Sequence, residues 1–522
     1  MTATTRMALR AKIEGFTFHG ATVSALRGVG LEIAPGSLTA VLGGSGSGKS
    51  ALGKLLAGWL RAGHSGTFRG SLELGGTRLD FGGSAADPRI NPAEWSRRVA
   101  FVPQEAAAML STVRSSVAEE LAFGLENRAT PRQDMLYAVE RAAASTGLSG
   151  LLDRDPATLS GGELRRLAVG CAVITQPDVL ILDEPVASLD AAGAAQIADL
   201  IRRLVTGGSA VVVLGQVVDG LALQAGHWIV LDGGTATAAG SPAHIMGSAE
   251  LDASGVRLCR PADSAVPAPP PGPAPRVGDG RPILELQGVG FSYRAVSRRP
   301  RMARSGPAPA SAGPRPGRTP ENDVLRDLDL SLRPGEIVAI TGSNGTGKST
   351  LLRLLNGLLR PSSGDVRICG NSIARVPVGR VAASVGLLFQ HPRDQLFERT
   401  ALREVRFGLR PLHGPEGATV RARAALDDVG LSAAASVHPA DLPAAQQRLL
   451  ALASVLARDP AVLALDEPTT GLDRRGVERL GHAVEQAAAR GTGVVFVTHD
   501  AGYARAAAHR YLQLDAGRLR EV

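Results

Sequence analysis

The strongest constraint on this chain is that it repeats itself. Residues 41–58, VLGGSGSGKSALGKLLAG, return at 340–357 as ITGSNGTGKSTLLRLLNG. VLILDEPVASLD (179–190) returns as VLALDEPTTGLD (462–473), and VVVLGQVVDG (211–220) as VVFVTHDAGY (494–503). The spacing is kept as well. Leu159 to Asp183 and Leu442 to Asp466 are both 24 residues, and Asp183 to Gln216 and Asp466 to His499 are both 33. Chance matches do not hold register in this way, so the chain reads as two copies of one domain. Its 522 residues, 44% apolar, supply a core for each copy.

Within each half, short β-branched runs alternate with Ala/Leu-rich helical segments. That pattern predicts an α/β fold with a mainly parallel sheet. SLTAVLGG and EIVAITGS read as buried strands, KSALGKLLAGWL and KSTLLRLLNGLL as the helices that follow. The expected first domain covers 1–259 and the second 283–522. Between them lies a Pro-rich tract, 260–282, with little apolar bulk, which reads as an extended linker. A second Pro/Arg-rich tract, about 294–320, carries seven arginines and no acid. It reads as a solvated insertion or as a contact for anionic lipid.

The glycine loops join strand to helix. In the first half the loop is Gly43, Gly44, Ser45, Gly46, Ser47, Gly48, Lys49 and Ser50, followed by Ala51. In the second it is Gly342, Ser343, Asn344, Gly345, Thr346, Gly347, Lys348 and Ser349, followed by Thr350. Glycines let backbone amides wrap phosphate closely, lysine reaches the outer phosphates, and the serine hydroxyl is placed for Mg²⁺. One such match can be accidental; two, each between a strand and a helix, read as two phosphate-binding loops. Each half also has an apolar strand that ends in two acids. Asp183 and Asp466 are the expected Mg²⁺ carboxylates, and Glu184 and Glu467 the expected activators of water. An acid pair ending an apolar run calls for a cation partner.

Composition limits the alternatives. The net charge is +8, almost all from arginine, and of the four lysines (Lys12, Lys49, Lys54, Lys348) two stand in the glycine loops. The basic balance fits either an anionic partner surface or a plain Arg/Ala-rich bias. The three cysteines, Cys171, Cys259 and Cys369, are far apart, which argues for a reducing compartment and against a disulfide or zinc framework. The N-terminal stretch lacks the apolar core of a signal peptide, and no run is apolar enough to span a bilayer. Work at a membrane would need a partner that spans it.

Taken together, the glycine loops, a Gln after a strand (FVPQ, Gln104; LLFQ, Gln390), LSGGE (159–163), LDEP, SLD and GLD, and VTHD (497–500) resemble the ATP-binding cassette ATPases. The resemblance covers almost the whole chain, twice. It implies tandem P-loop NTPase domains, each with a mainly parallel sheet and a helical subdomain, with ATP and Mg²⁺ bound between head-to-tail halves. It also implies adenine stacking on Phe18 (GFTF) and Tyr293 (GFSY), although either ring could be a core aromatic instead.

The two sites implied are unequal. The resemblance places Ser160, Gly161, Gly162 and Glu163 against ATP held by the other half. The matching positions in the second half are Pro443, Ala444, Ala445 and Gln446, which lack the hydroxyl and the bare glycine backbone. Proline suits a helix start, so the helix is expected to survive while the phosphate grip weakens. Gln216 stands where the second half has His499, and an amide cannot carry the imidazolium charge. Site one is then Lys49, Ser50, Gln104, Asp183, Glu184 and Gln216 with LPAAQ. Site two is Lys348, Ser349, Gln390, Asp466, Glu467 and His499 with LSGGE. Both departures fall in site one.

FQHPRDQLFERTALREVRFGL (389–409) and STVRSSVAEELAFGLEN (111–127) are similar to the energy-coupling-factor ATPases. These drive importers of vitamins and transition-metal ions, together with a transmembrane coupling subunit and a substrate-binding membrane subunit. That resemblance implies a peripheral protein at the cytoplasmic face of the membrane, with no nucleic-acid partner expected. Two departures stand against it: the first half has PQEAAAML in place of the DQLF element, and the second has REVRFGL in place of the acidic form. Two other readings are a fused ATPase of a monosaccharide importer and a soluble, ribosome-associated tandem ATPase. The DQLF and FGLEN elements oppose the former, and a Pro-rich rather than charged helical linker opposes the latter.

Overall fold

In the computed structural model, residues 7–60, 63–187, 189–258, 281–293 and 323–521 are described. Nearly all of the 260–282 tract and the whole 294–320 tract lie outside them, as does Cys259. The chain divides into two compact units. The first comprises residues 1–261 together with 443–446 and 469–478, and the second the remainder.

The first unit is built on a ten-stranded sheet. Its parallel part runs Val99–Val102, Val179–Asp183, Ala210–Gly215, Leu38–Leu42 and His227–Asp232. These strands read as continuous apolar runs because both faces are covered. The side chains alternate between two cores as a period of two requires. Val41, Ile181 and Val212 pack on one face, and Leu42, Leu182 and Val213 on the other. Thr235–Gly240, antiparallel to His227–Asp232 and parallel to Leu26–Ile33, joins this part to an antiparallel extension, Leu9–Phe18 with Leu26–Ile33, Gly66–Leu74 and Thr77–Gly82, which completes the sheet.

A separate small core holds the helices Val117–Glu126, Arg132–Thr146 and Gly161–Val173 together through Val117, Leu121, Ala143 and Leu167. This is the helical subdomain that the family resemblance implied.

The second unit repeats the parallel order: Val385–Leu388, Val462–Asp466, Gly493–Thr498, Ile337–Thr341 and Arg510–Asp515, with Arg518–Glu521 antiparallel at the edge. Its antiparallel strands, Leu284–Ser292, Asp323–Leu332, Ser363–Ile368 and Asn371–Ser372, form a sheet of their own.

The two helices expected after the glycine loops begin at Lys49 and Lys348 and end at Leu56 and Leu355. They stop short of the expected ends because Gly58 and Gly357 follow in the left-handed conformation. In both sheets the strand before the glycine loop lies beside the strand that leads to Gln216 or His499, and that strand lies beside the one ending in the acid pair. Each set of motifs therefore meets at the carboxyl end of its sheet, where open α/β sheets bind ligands.

Candidate ATP sites

Each glycine loop turns into its helix through a residue that only glycine holds without strain: Gly48 at φ 97° and Gly347 at φ 100°. A Cβ on Gly43 would lie 2.4 Å from the Leu231 carbonyl, and one on Gly342 would lie 2.5 Å from the Leu514 carbonyl. The loops are thus wrapped tightly on the neighbouring strand. Gly46 and Gly345, also at positive φ, meet nothing within 4 Å and leave the loop interior open. Lys49 Nζ donates to the carbonyls of Gly43 and Gly44, both at 2.7 Å. Lys348 Nζ does the same to Gly342 and Ser343 at 2.8 and 2.9 Å. Burial lowers the Lys49 pKa, against the opposing pull of Glu184 and Asp183.

The carboxylates expected to hold Mg²⁺ are buried at the strand ends. Burial raises both pKa values, against hydrogen bonds from Ser50 to Asp183 and from Ser349 to Asp466. Asp466 Oδ1 is buried without a hydrogen-bond partner. A hard cation shared by one carboxylate, one hydroxyl and the nucleotide phosphates would satisfy that oxygen, so the donor set fits Mg²⁺.

The glutamates that follow are held in a backbone conformation rare for non-glycine residues, φ 49° at Glu184 and φ 48° at Glu467. Their amides donate to Leu214 and Val497 carbonyls on the neighbouring strand, both at 2.9 Å, which fixes the turn. Such local strain, over-determined by the surrounding strands, is characteristic of functional positions.

The side chains around the two glutamates differ. In the first unit Gln104 Nε2 donates to Glu184 Oε2 at 2.8 Å, and Gln216 Nε2 donates to Oε1. Both carboxylate oxygens are thereby capped by amides. Burial raises the Glu184 pKa; the Gln216 bond opposes this and the neighbouring Asp183 charge adds to it. In the second unit Thr498 Oγ1, the His499 amide and His499 Nδ1 all reach Glu467 Oε2, at 3.1, 3.3 and 2.8 Å. Burial works against a charge on His499. The hydrogen bond and the negative charge of Glu467 outweigh it, and the imidazole pKa lies above its ordinary value.

Two residues that sequence reasoning missed organise both sites. Arg165 donates to the Glu184 carbonyl at 2.6 Å and to the Gln104 carbonyl at 2.8 Å. Arg448 donates to those of Glu467 and Gln390 at 3.0 and 2.8 Å. Burial pushes the Arg448 pKa down to about 10. The available signal was position: each arginine stands 18 residues before its strand-ending aspartate.

Ser160 caps the helix Gly161–Val173. Its hydroxyl accepts from the Glu163 amide, and Glu163 Oε2 accepts from the Ser160 amide at 2.7 Å. The helix at the altered motif survives, as expected, with the same 13 residues, Ala444–Leu456. Pro443–Gln446 belong to the first unit. Within that unit Asp473 Oδ2 accepts from the Ser45 amide of the glycine loop at 2.8 Å, and Gln216 Nε2 lies 3.4 Å from the Gly471 carbonyl.

Phe18 and Tyr293 are 39% and 50% exposed, each edge-on to a buried phenylalanine, Phe16 and Phe291. The Tyr293 hydroxyl is 3.2 Å from Thr350 Oγ1, which brings that ring to the helix leaving the second glycine loop.

Among the described residues no helix is long and apolar enough to cross a membrane. Residues 26–187 and 325–470 match the protein family described as ABC transporter. A protein of Streptomyces coelicolor named for ABC transporter ATP binding is 33% identical over 96% of this chain and 91% of its own length. A similarly named protein of Methanosarcina acetivorans is 29% identical over 97% of this chain and 88% of its own. Among solved structures, a ribosome-bound archaeal Pelota and ABCE1 assembly covers 98% of this chain and 78% of its own, with a TM-score of 0.64 at 18% identity. At that identity the likeness concerns the fold.

Proposed function

The chain belongs to the ABC transporter family and is an ATPase of it, and on that premise we propose that it powers an importer of the energy-coupling-factor type. The transported species would be a vitamin or a transition-metal ion. Its partners would be a transmembrane coupling subunit and a substrate-binding membrane subunit, at the cytoplasmic face of the membrane.

The observation that supports coupling to a partner is an exposed aromatic pair in the segment after Gln390. Phe397 and Phe407, 64% and 50% exposed, meet edge to face at 4.8 Å. Buried Glu404 fixes the loop by accepting the amides of Phe397 and Glu398. Two aromatics held rigidly at the surface form a docking feature rather than incidental exposure. Purification of the chain from membranes should bring multi-span membrane proteins with it. Recovery free of them, or with ribosomes, would overturn the transport reading.

The two ATP sites divide the work in this reading. Lys348, Ser349, Asp466, Glu467 and His499, acting with Ser160–Glu163 by the family resemblance, hydrolyse ATP. Lys49, Ser50, Asp183, Glu184 and Gln216, acting with Pro443–Gln446, hold it. Asp466 and Ser349 would hold Mg²⁺, whose charge would screen that of the phosphates. Glu467 keeps Oε1 clear of the His499 cluster to orient and polarise water, and the raised pKa of His499 favours a cationic ring beside the terminal phosphate. Glu184, capped on both oxygens, is the poorer base.

A further inference from the structure

Residues 248–258 follow the first domain's last sheet strand, Thr235–Gly240, and no motif reading assigned them a task. They form the short helix Ala249–Ala253, a left-handed Gly255 at φ 77°, and a two-residue strand, Arg257–Leu258.

This segment reaches three parts of the first unit at once. The Ser254 carbonyl accepts from the Gly44 amide of the glycine loop at 2.9 Å. The Arg257 amide donates to the Gln216 carbonyl at 2.9 Å, and Arg257–Leu258 pair in parallel with Val217–Val218. The Gly255 carbonyl accepts from the Arg474 amide at 2.9 Å. The guanidinium groups of Arg474 and Arg475 reach the carbonyls of Asp252 and Ala253. Asp473, next in line, accepts from the Ser45 amide at 2.8 Å. Ser254 is buried, and its hydroxyl donates to Leu251, so the turn that presents its carbonyl is itself fixed.

The glycine at position 44 is what admits this contact. A Cβ there would lie 2.6 Å from the Ser254 carbonyl and 2.9 Å from Asp473 Oδ2. The second loop carries Ser343 at the same position, so it cannot accept a carbonyl in that way. Serine is thus compatible with a phosphate loop but not with this brace.

We propose that residues 252–257 are positioning residues for the first ATP site, holding residues 471–475 on the first glycine loop whether or not nucleotide is present. The proposal rests on the reading of that site as the holding site, and gives it a physical means of staying assembled while the other site turns over.

The test is hydrogen–deuterium exchange on the full chain without nucleotide, compared between loop peptides 43–48 and 342–347. The Gly44 amide should exchange about tenfold more slowly than that of Ser343, since the Ser254 carbonyl accepts from it. Gly44→Ser should erase the difference. So should the double variant Arg474→Ala/Arg475→Ala, which leaves the loop sequence untouched and decides the matter should Gly44→Ser perturb folding. A serine at 44 only matches what the second loop already carries, so a loss confined to peptides 43–48 and 252–258 reports the brace rather than the phosphate loop. Equal exchange of the two loops in the unaltered chain, or a difference that survives the double variant, overturns the proposal. Exchange without nucleotide does not depend on turnover, so its failure is separable from a failure of the two-site reading, which the ATPase comparison of glutamate variants tests.

Discussion

Gln216 donates to one carboxylate oxygen of Glu184 while Gln104 caps the other. Its counterpart His499 shares a single oxygen of Glu467 with two other donors. A general base needs a lone pair facing the proton it takes. The two glutamates stand in the same strained turn and differ in the partners of their carboxylate oxygens.

The first consequence concerns turnover. In the assembled transport complex Glu467→Gln should cut ATPase activity by about 100-fold or more, the scale of a lost general base. Glu184→Gln should leave most of it. Steady-state phosphate release measures both, and equal losses would refute the division of labour.

Reversing the departures should wake the first site. In a Glu467→Gln background, Gln216→His together with Pro443→Ser, Ala444→Gly and Ala445→Gly should raise phosphate release above that background. Unchanged turnover would mean that the cause lies elsewhere in the first unit.

The His499–Glu467 contact has a pH signature. Burial opposes a charge on His499, but the Glu467 hydrogen bond and charge outweigh it, so the folded pKa lies above the ordinary imidazole value of 6.5. Its stabilising contribution is fully present below the unfolded value and is lost as pH rises through the higher folded value. An NMR titration of the ring should give a midpoint above 6.5, and Glu467→Gln should lower it. A midpoint at or below 6.5 in the unaltered chain would contradict the assignment.

Arg448 should matter more than a surface arginine. Arg448→Met leaves the carbonyls of Glu467 and Gln390 without its two hydrogen bonds. At about 1–3 kcal/mol for each buried unsatisfied acceptor, unfolding should ease by about 2–6 kcal/mol. Denaturant melts test this, and a change within 0.5 kcal/mol, about what a surface substitution gives, would rule out the bridging role.

The exposed rings should contribute to nucleotide affinity. Phe18→Ala and Tyr293→Ala should each weaken ATP binding at their own site by about threefold to tenfold, the effect of losing one aromatic stacking contact. Tyr293→Phe should retain the stacking while giving up the Thr350 contact. Calorimetry or a fluorescent ATP analogue distinguishes these outcomes.

Much of this was legible in the chain itself. The repeat, the glycine loops and the acid pairs depend on local chemistry: a loop that must wrap phosphate needs glycine at fixed positions, and a buried strand is apolar until it reaches its acids. The altered LPAAQ motif and Gln216 were legible for the same reason, because an aligned twin shows which group is missing. What could not be read was anything made by backbone carbonyls. Arg165 and Arg448 bind carbonyls far away in sequence, and the 252–257 segment offers Gly44 and Arg474 carbonyls that carry no residue identity.

The sequence by itself determined the family, the two phosphate loops and the residues by which the two halves differ. Side-chain identity and spacing decide those, and both are written in the chain. Only the tertiary structure decided that Glu184 is capped on both oxygens, that an arginine locks each glutamate turn, and that Gly44 is a glycine because a carbonyl presses on it. Those depend on which distant strand ends are brought within hydrogen-bond distance, and packing sets that.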